Sequence, residues 1–407
     1  MQLDRTLTLV TALARLPRGD ARGFTFIGRD RTERYYPYEK MEAEALRRAA
    51  KLAELGLQKG DRVALVLPEP HEFVLTFLGA VFAGVVPVPI FPRASFKNAD
   101  SYVDVLAHII RTSSARVVFC MDANLSVVER VREHDCGNPT IVDVTHAFEG
   151  EPSPPAGWAP PALTHEDICF LQFTSGSTNK PKGVVVTHGN LVANTQSFMN
   201  EHGLQRNDSD IAVSWLPLYH DMGLIGFVLA TLLWDIPPVI LPTELFARAP
   251  GLWLETISRM GGTITYAPNF AFDLVVKRTK DKDLAALDLS KLRVVGSGAE
   301  PIRPKTLRAF AERHGSPGHL HTNNTVGPVD PSHRRRSLES SHTLTTPPGA
   351  HDEHQDQGLT RDRRCRRRRH RPVRRDGRRP ARALPRPGQR PVRVLDLAGP
   401  WLRQRRR

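Results

Sequence analysis

The stretch Phe173-Thr-Ser-Gly-Ser-Thr-Asn-Lys-Pro-Lys-Gly183 collects the residue types that hold a polyphosphate. Small residues let the backbone approach phosphate oxygens, and exposed N–H groups and hydroxyls can donate to them. Lys180 and Lys182 supply compensating charge. The spacing is not G-x-x-x-x-G-K-[ST], so this is not the Walker loop. Taken alone, the stretch is also compatible with a plain hydrophilic hairpin loop. Two further stretches stand out. In Ser214-Trp-Leu-Pro-Leu-Tyr-His-Asp-Met-Gly-Leu-Ile-Gly226, His220 follows an apolar run, and in Gly296-Ser-Gly-Ala-Glu-Pro301, Glu300 follows a small-residue turn. A lone histidine after a strand is more often structural than catalytic. Glu300 could equally cap the helix expected near Arg303, since carboxylates favour helix N-termini.

Positioning these residues requires a scaffold, and its rhythm is legible from Gly60 onward. Short apolar, β-branched runs predict strands at Arg62–Pro68, Val85–Pro89, Arg116–Met121, Thr140–Val144, Ile168–Thr174, Val184–Thr187, Ile211–Leu216, Pro238–Leu241, Thr263–Tyr266 and Leu292–Gly296. Helical spacing alternates with them over His71–Gly84, Ser101–Ser114, Leu125–His134 and Asn190–Met199. Strands apolar on both faces and separated by helices predict an α/β fold whose sheet is covered on both sides. A Pro-rich linker, Glu151–Pro161, interrupts the series.

Composition splits the chain in two. The formal net charge is +14, but residues 319–407 hold 23 Arg, no Lys and 8 acidic residues, against 34 basic and 35 acidic residues in 1–318. The basic character thus belongs to the tail. That tail contains no Ile, Met, Phe or Tyr and ten prolines, a composition that cannot bury enough apolar area to offset chain entropy, so it is expected to be disordered. The expected division is a globular domain over 1–318 and an Arg/Pro-rich tail over 319–407. The arginine runs lack interleaved aromatics, which argues against specific nucleic-acid recognition. His351-Asp-Glu-His354 has ligand residue types but no second cluster, so no metal site is expected there. Cys120, Cys136, Cys169 and Cys365 form no C-x-x-C pair. The start lacks the basic-then-apolar pattern of a signal peptide, and the apolar stretch Phe73–Phe91 carries glycines and prolines that favour a buried helix and strand over a membrane span. A cytoplasmic setting is expected.

The 173–183 loop resembles the phosphate-binding loop of the adenylate-forming enzymes: acyl-CoA synthetases, fatty acyl-AMP ligases and peptide-synthetase adenylation domains. The blocks around it fall in that family's order. Gly60–Pro68 and Phe77–Pro89 resemble the early blocks, Ser214–Gly226 the acyl-pocket block, and Ala267–Asp273 and Gly296–Pro301 the later pocket strand and the adenine-contacting loop. Asn179, where the family usually has glycine, and the run His220-Asp221-Met222-Gly223 are more similar to the fatty acyl-AMP ligase branch. The resemblance implies the N-terminal core of an adenylation domain, with mixed sheets covered by helices, and ATP-dependent activation of a fatty acid to acyl-AMP. It implies that Thr174, Ser175, Gly176, Ser177, Thr178, Lys182 and Gly183 hold phosphates, and that His220 lies near the carboxylate and α-phosphate. It places Gly298, Ala299 and Glu300 around adenine and makes Met222, Asn269 and Phe270 pocket candidates, though Met222 and Phe270 taken singly read as core residues. Mg2+ is implied beside ATP, and a carrier-protein thiol of a polyketide synthase, or CoA, as acceptor.

The resemblance stops within a few residues of Gly315. No Tyr-Gly-x-x-Glu, later ribose-binding Asp or C-terminal lobe follows, and no Lys occurs after Lys305. A tail of this composition is what GC-rich coding DNA can yield when read out of frame. A chain lacking that lobe is expected to turn over poorly, and the competing readings are a non-catalytic remnant or a binding protein with a basic tail.

Overall fold

In the computed structural model, the described residues are 3–93, 99–174, 180–199, 204–280, 282, 286–301, 303–314 and 319–322. Thirteen strands form three sheets among them. The largest uses β1 (Gly23–Ile27), β2 (Glu33–Pro37), β9 (Ala212–Ser214), β10 (Pro238–Ile240), β11 (Ile264–Ala267), β12 (Val294–Ser297) and β13 (His319–Thr322). Its order is β13-β12-β11-β9-β10-β1-β2, parallel throughout except for the antiparallel β1–β2 pair. The second sheet is wholly parallel, with β4 (Val86–Pro89), β3 (Arg62–Leu65), β5 (Val117–Cys120) and β6 (Thr140–Asp143) in that order. The third is the antiparallel hairpin β7 (Ile168–Thr174) and β8 (Lys182–Thr187).

All ten expected strands form, within a few residues of the expected limits. They divide between separate sheets, a partition that strand periodicity does not encode. The β1–β2 pair was not foreseen. β1 is buried along its whole length, but β2 (ERYYP) is an exposed, partly charged edge with no apolar alternation to betray it. The sheet also runs past the compositional break, because β13 pairs in parallel with β12 from Val294↔His319 to Ser297↔Thr322. The remainder of the Arg-rich tail, with His351–His354, lies outside the described residues.

The helix Pro70–Phe82 starts with proline at its first turn, where the missing N–H costs nothing, and is apolar on nearly every side. All-round burial follows, since it packs against β1, β3 and β4. Its Gly79 admits the Cβ of Arg48 from the neighbouring helix Tyr38–Glu54. The Arg48 guanidinium, buried there, donates to Glu72 at 2.8 Å and to Thr76 at 2.7 Å. Gly84 then takes φ +68, the left-handed turn that releases the chain into β4.

β4 is the edge of its sheet, and its prolines at 87 and 89 decide what can join it. Val86 and Ile90 donate toward β3, so the alternate positions, Pro87 and Pro89, face outward without an N–H. β7 lies beside β4 but shares no ladder with it. The hairpin is therefore a separate two-stranded sheet resting on the larger structure.

Candidate functional site

Parallel strands bring their C-terminal ends to one edge, where open α/β sheets place ligands. β9, β11 and β12 are neighbours, so the loops that follow them meet there. They carry His220, Asn269 with Phe270, and Gly298-Ala299-Glu300 respectively.

His220 precedes a short helix, Asp221–Leu224, that passes directly into a π-helical turn, Ile225–Leu229. Such turns recur at functional sites. The imidazole Nδ1 lies 2.6 Å from the Asp221 carboxylate, which also accepts from the Met222 N–H at 2.7 Å. The hydrogen bond to Asp221 raises the His220 pKa, and the same bond holds Asp221 below its ordinary value. With Nδ1 donating to Asp221, Nε2 is the nitrogen left for a ligand. Gly223 is required here, because a Cβ would collide with the Pro217 carbonyl. Met222 is half-buried and packs against the core.

The β7–β8 register sets Thr174 opposite Lys182, both exposed, so a hydroxyl and an ammonium share one face at the hairpin mouth. Gly183 is buried opposite Phe173, whose ring occupies the space a side chain would need. Ser175, Gly176, Ser177 and Thr178, with Asn179, lie outside the described residues. Two bonds tie the hairpin to its surroundings. Gln172 Nε2 donates to the Tyr219 carbonyl at 2.9 Å, and His108 Nε2, from the helix Ala99–Ser113, donates to the Pro181 carbonyl at 3.0 Å.

At the end of β12, Gly298 is buried and Ala299 adopts φ +65, a left-handed conformation that costs a non-glycine residue energy. Glu300 accepts from the Phe270 N–H at 2.6 Å. It thus caps the helix Asn269–Arg278, not the one it precedes in sequence. That following helix, Pro304–His314, is served instead by buried Asn269, whose Oδ1 accepts from the Arg303 N–H at 2.9 Å. Phe270, read singly as a core residue, is 50% exposed and meets the Trp215 ring edge-on. The structure ties the Tyr219 carbonyl, next to His220, to the hairpin, and it ties Phe270 to Glu300 and Asn269 to Arg303. No side-chain hydrogen bond links these two groups among the described residues.

A cleft of about 650 Å3 opens beside Tyr219. Leu67, Pro68 and Phe91 from the all-parallel sheet's loops wall one side, and Leu216, Leu241 and Pro242 the other. None of Met222, Asn269 and Phe270 lines it. Among the described residues no cluster of three or more His, Cys, Asp or Glu could hold a metal ion, and no helix is long and apolar enough to cross a membrane.

Residues 17–322 match the model of the AMP-binding enzyme family. The chain belongs to that family. It is 37% identical over 276 residues to a putative acyl-CoA synthetase of Caulobacter vibrioides, covering 68% of this chain and 47% of the relative. It is equally 37% identical over 258 residues to the long-chain-fatty-acid–AMP ligase FadD26 of Mycobacterium bovis, covering 62% and 43%. A solved structure from a study of fatty acyl-adenylate ligases of E. coli and L. pneumophila superposes with TM-score 0.70 at 36% identity, over 75% of this chain and 54% of that one. The L. pneumophila fatty acyl-adenylate ligase in complex with acyl adenylate and pyrophosphate gives 0.64 at 31%, over 75% and 52%. This AMP-binding chain spans about half the length of the curated relatives it matches. Its α/β core is that of the adenylation domains, and its relatives are acid–thiol and fatty acyl-AMP ligases.

Gln172, Tyr219, His108 and Asp221 have placements that sequence reasoning left without a role. Gln172 had a signal, being a lone amide inside the apolar strand Ile168–Thr174. The bond of His108 to Pro181 had none.

Proposed function

We propose that this AMP-binding chain binds ATP and a fatty acid and forms acyl-adenylate. The single observation that carries the proposal is the bond from Gln172 to Tyr219, which holds the loop bearing His220 against the hairpin bearing Thr174 and Lys182. A carboxylate oxygen attacks the α-phosphorus, the new P–O bond forms the mixed anhydride, and the bond to pyrophosphate breaks. A carboxylate is a weak nucleophile toward a polyanion, so the protein's contribution is alignment and charge neutralisation.

In this scheme the hydroxyl of Thr174 and the ammonium of Lys182 meet phosphate oxygens, with Ser175, Gly176, Ser177, Thr178 and Gly183 completing the loop. His220, polarised by Asp221, presents Nε2 to the developing charge at the α-phosphate. Gly298, Ala299 and Glu300 border adenine, and Met222, Asn269 and Phe270 border the acyl chain. The exposed hydroxyl and ammonium fit a polyphosphate. Mg2+ would come with the nucleotide and supply further charge neutralisation beside Thr174 and Lys182. The acyl group then passes to a carrier-protein thiol or to CoA.

Calorimetric titration of the 407-residue chain with ATP and Mg2+, followed by dodecanoate-dependent ATP–pyrophosphate exchange, tests this. Saturable ATP binding with slow exchange is expected, because the chain matches only about half of its relatives. Absence of ATP binding overturns the proposal. Exchange at the rate of a full-length ligase overturns the reading of impaired turnover.

A further inference from the structure

We infer that Gln172 is a positioning residue, whose side-chain amide sets the His220 loop against the phosphate-type hairpin; this rests on the adenylation reading above. The need for such a residue comes from the sheet topology. The hairpin belongs to neither large sheet, because the outward face of β4 at Pro87 and Pro89 offers no donors to β7. Backbone ladders therefore do not fix Thr174 and Lys182 relative to the loop after β9, and side chains must.

Gln172 stands two residues before Thr174, and its partner, the carbonyl of Tyr219, immediately precedes His220. The residue is 6% exposed. Its orientation follows from chemistry, since a carbonyl can only accept and the NH2 must face Tyr219. Oε1 is then buried without a partner among the described residues. An amide bonded through one half and orphaned through the other is a poor choice for stability, because a buried unsatisfied acceptor costs free energy that an apolar isostere would not. What the amide offers that methionine lacks is a directional bond to the His220 loop. The Phe91 ring, 5.0 Å from that of Tyr219, packs against the same loop. Just before β8, His108 makes a second attachment through the Pro181 carbonyl. One bond thus holds β7 and the other the entry to β8.

The test compares Gln172→Met and Gln172→Glu with the unaltered 407-residue chain. Methionine preserves volume, and glutamate preserves shape while removing the donor. Three quantities are read: the melting temperature, amide hydrogen exchange across residues 217–224, and affinity for dodecanoyl-sulfamoyl-adenosine, a non-hydrolysable acyl-adenylate analogue. Gln172→Met is expected to melt no lower than the parent, to exchange faster across 217–224 only, and to bind the analogue about tenfold more weakly. Gln172→Glu is expected to repeat the exchange and binding changes. Unchanged exchange across 217–224 in both variants overturns the inference, as does a lowered melting temperature in Gln172→Met with exchange raised throughout, the mark of a structural role. If the parent chain binds no analogue while exchange across 217–224 still rises, the adenylation reading fails and the positioning role of Gln172 stands.

Discussion

The Glu300 carboxylate accepts the backbone N–H of Phe270 at 2.6 Å, thirty positions away in sequence, and Asn269 returns the service to Arg303 at 2.9 Å. Each of two helices is capped from the loop that starts the other. The loop after β11 and the loop after β12 are thereby locked as a pair, and the strained Ala299 is held between them. A residue expected to border adenine and one expected to border the acyl chain are thus mechanically coupled.

Removing either cap is expected to cost stability in the range of helix capping, about 1 kcal/mol each for Glu300→Ala and Asn269→Ala. The double variant should lose less than the sum, because the two bonds share one rigid pair of loops. Urea denaturation of the four proteins measures this, and strict additivity would mean that the caps are independent.

His188 sets an acid limit on the fold. It is 1% exposed, its Nδ1 accepts from the Leu9 N–H at 3.1 Å, and burial pushes its pKa down to about 4 from the ordinary 6.5. The unfolded chain takes up this proton before the folded one does. Stability from the neutral ring is therefore complete above about pH 6.5 and is lost progressively as pH falls toward 4, by up to ~3 kcal/mol. His188→Asn keeps an acceptor near the Nδ1 position without titrating in this window. Denaturation between pH 7 and 4 should show a flatter acid limb for that variant.

At His220 the sign is opposite. The Asp221 carboxylate raises the imidazole pKa, so the cation persists further into the neutral range and is lost as pH rises through the raised value. Asp221→Asn keeps a hydrogen-bond acceptor but removes the charge, and the His220 titration followed by NMR should move down toward the ordinary histidine value. A titration unmoved by this substitution would remove the basis for a polarised His220.

Gly223→Ala is expected to destabilise by about 1–3 kcal/mol, since its methyl would press on the Pro217 carbonyl, a backbone atom with little freedom to give. Gly226, three residues on, has open space around its Cβ position, so Gly226→Ala is the control. Alanine in a helical segment should leave it as stable as the parent or more so. Melting curves of the two variants distinguish a steric requirement from a general intolerance of substitution.

The amino-acid sequence determined what is local. Alternating apolar runs and helical spacing located the ten strands from Arg62 to Gly296 and the helices between them, because each element depends on residues a few positions apart. The strands flanking the glycine- and hydroxyl-rich run, and the family resemblance carried by that run and by His220-Asp221-Met222-Gly223, were equally legible, since such motifs reside in consecutive residues. Tertiary structure decided everything that joins distant segments. Thr25 of β1 pairs with Val239 of β10, Gln172 reaches Tyr219, and Glu300 serves a helix it does not precede. Such choices depend on which surfaces are left unpaired once the core has packed, as with the donor-free edge at Pro87 and Pro89. A linear pattern carries no direct record of that competition.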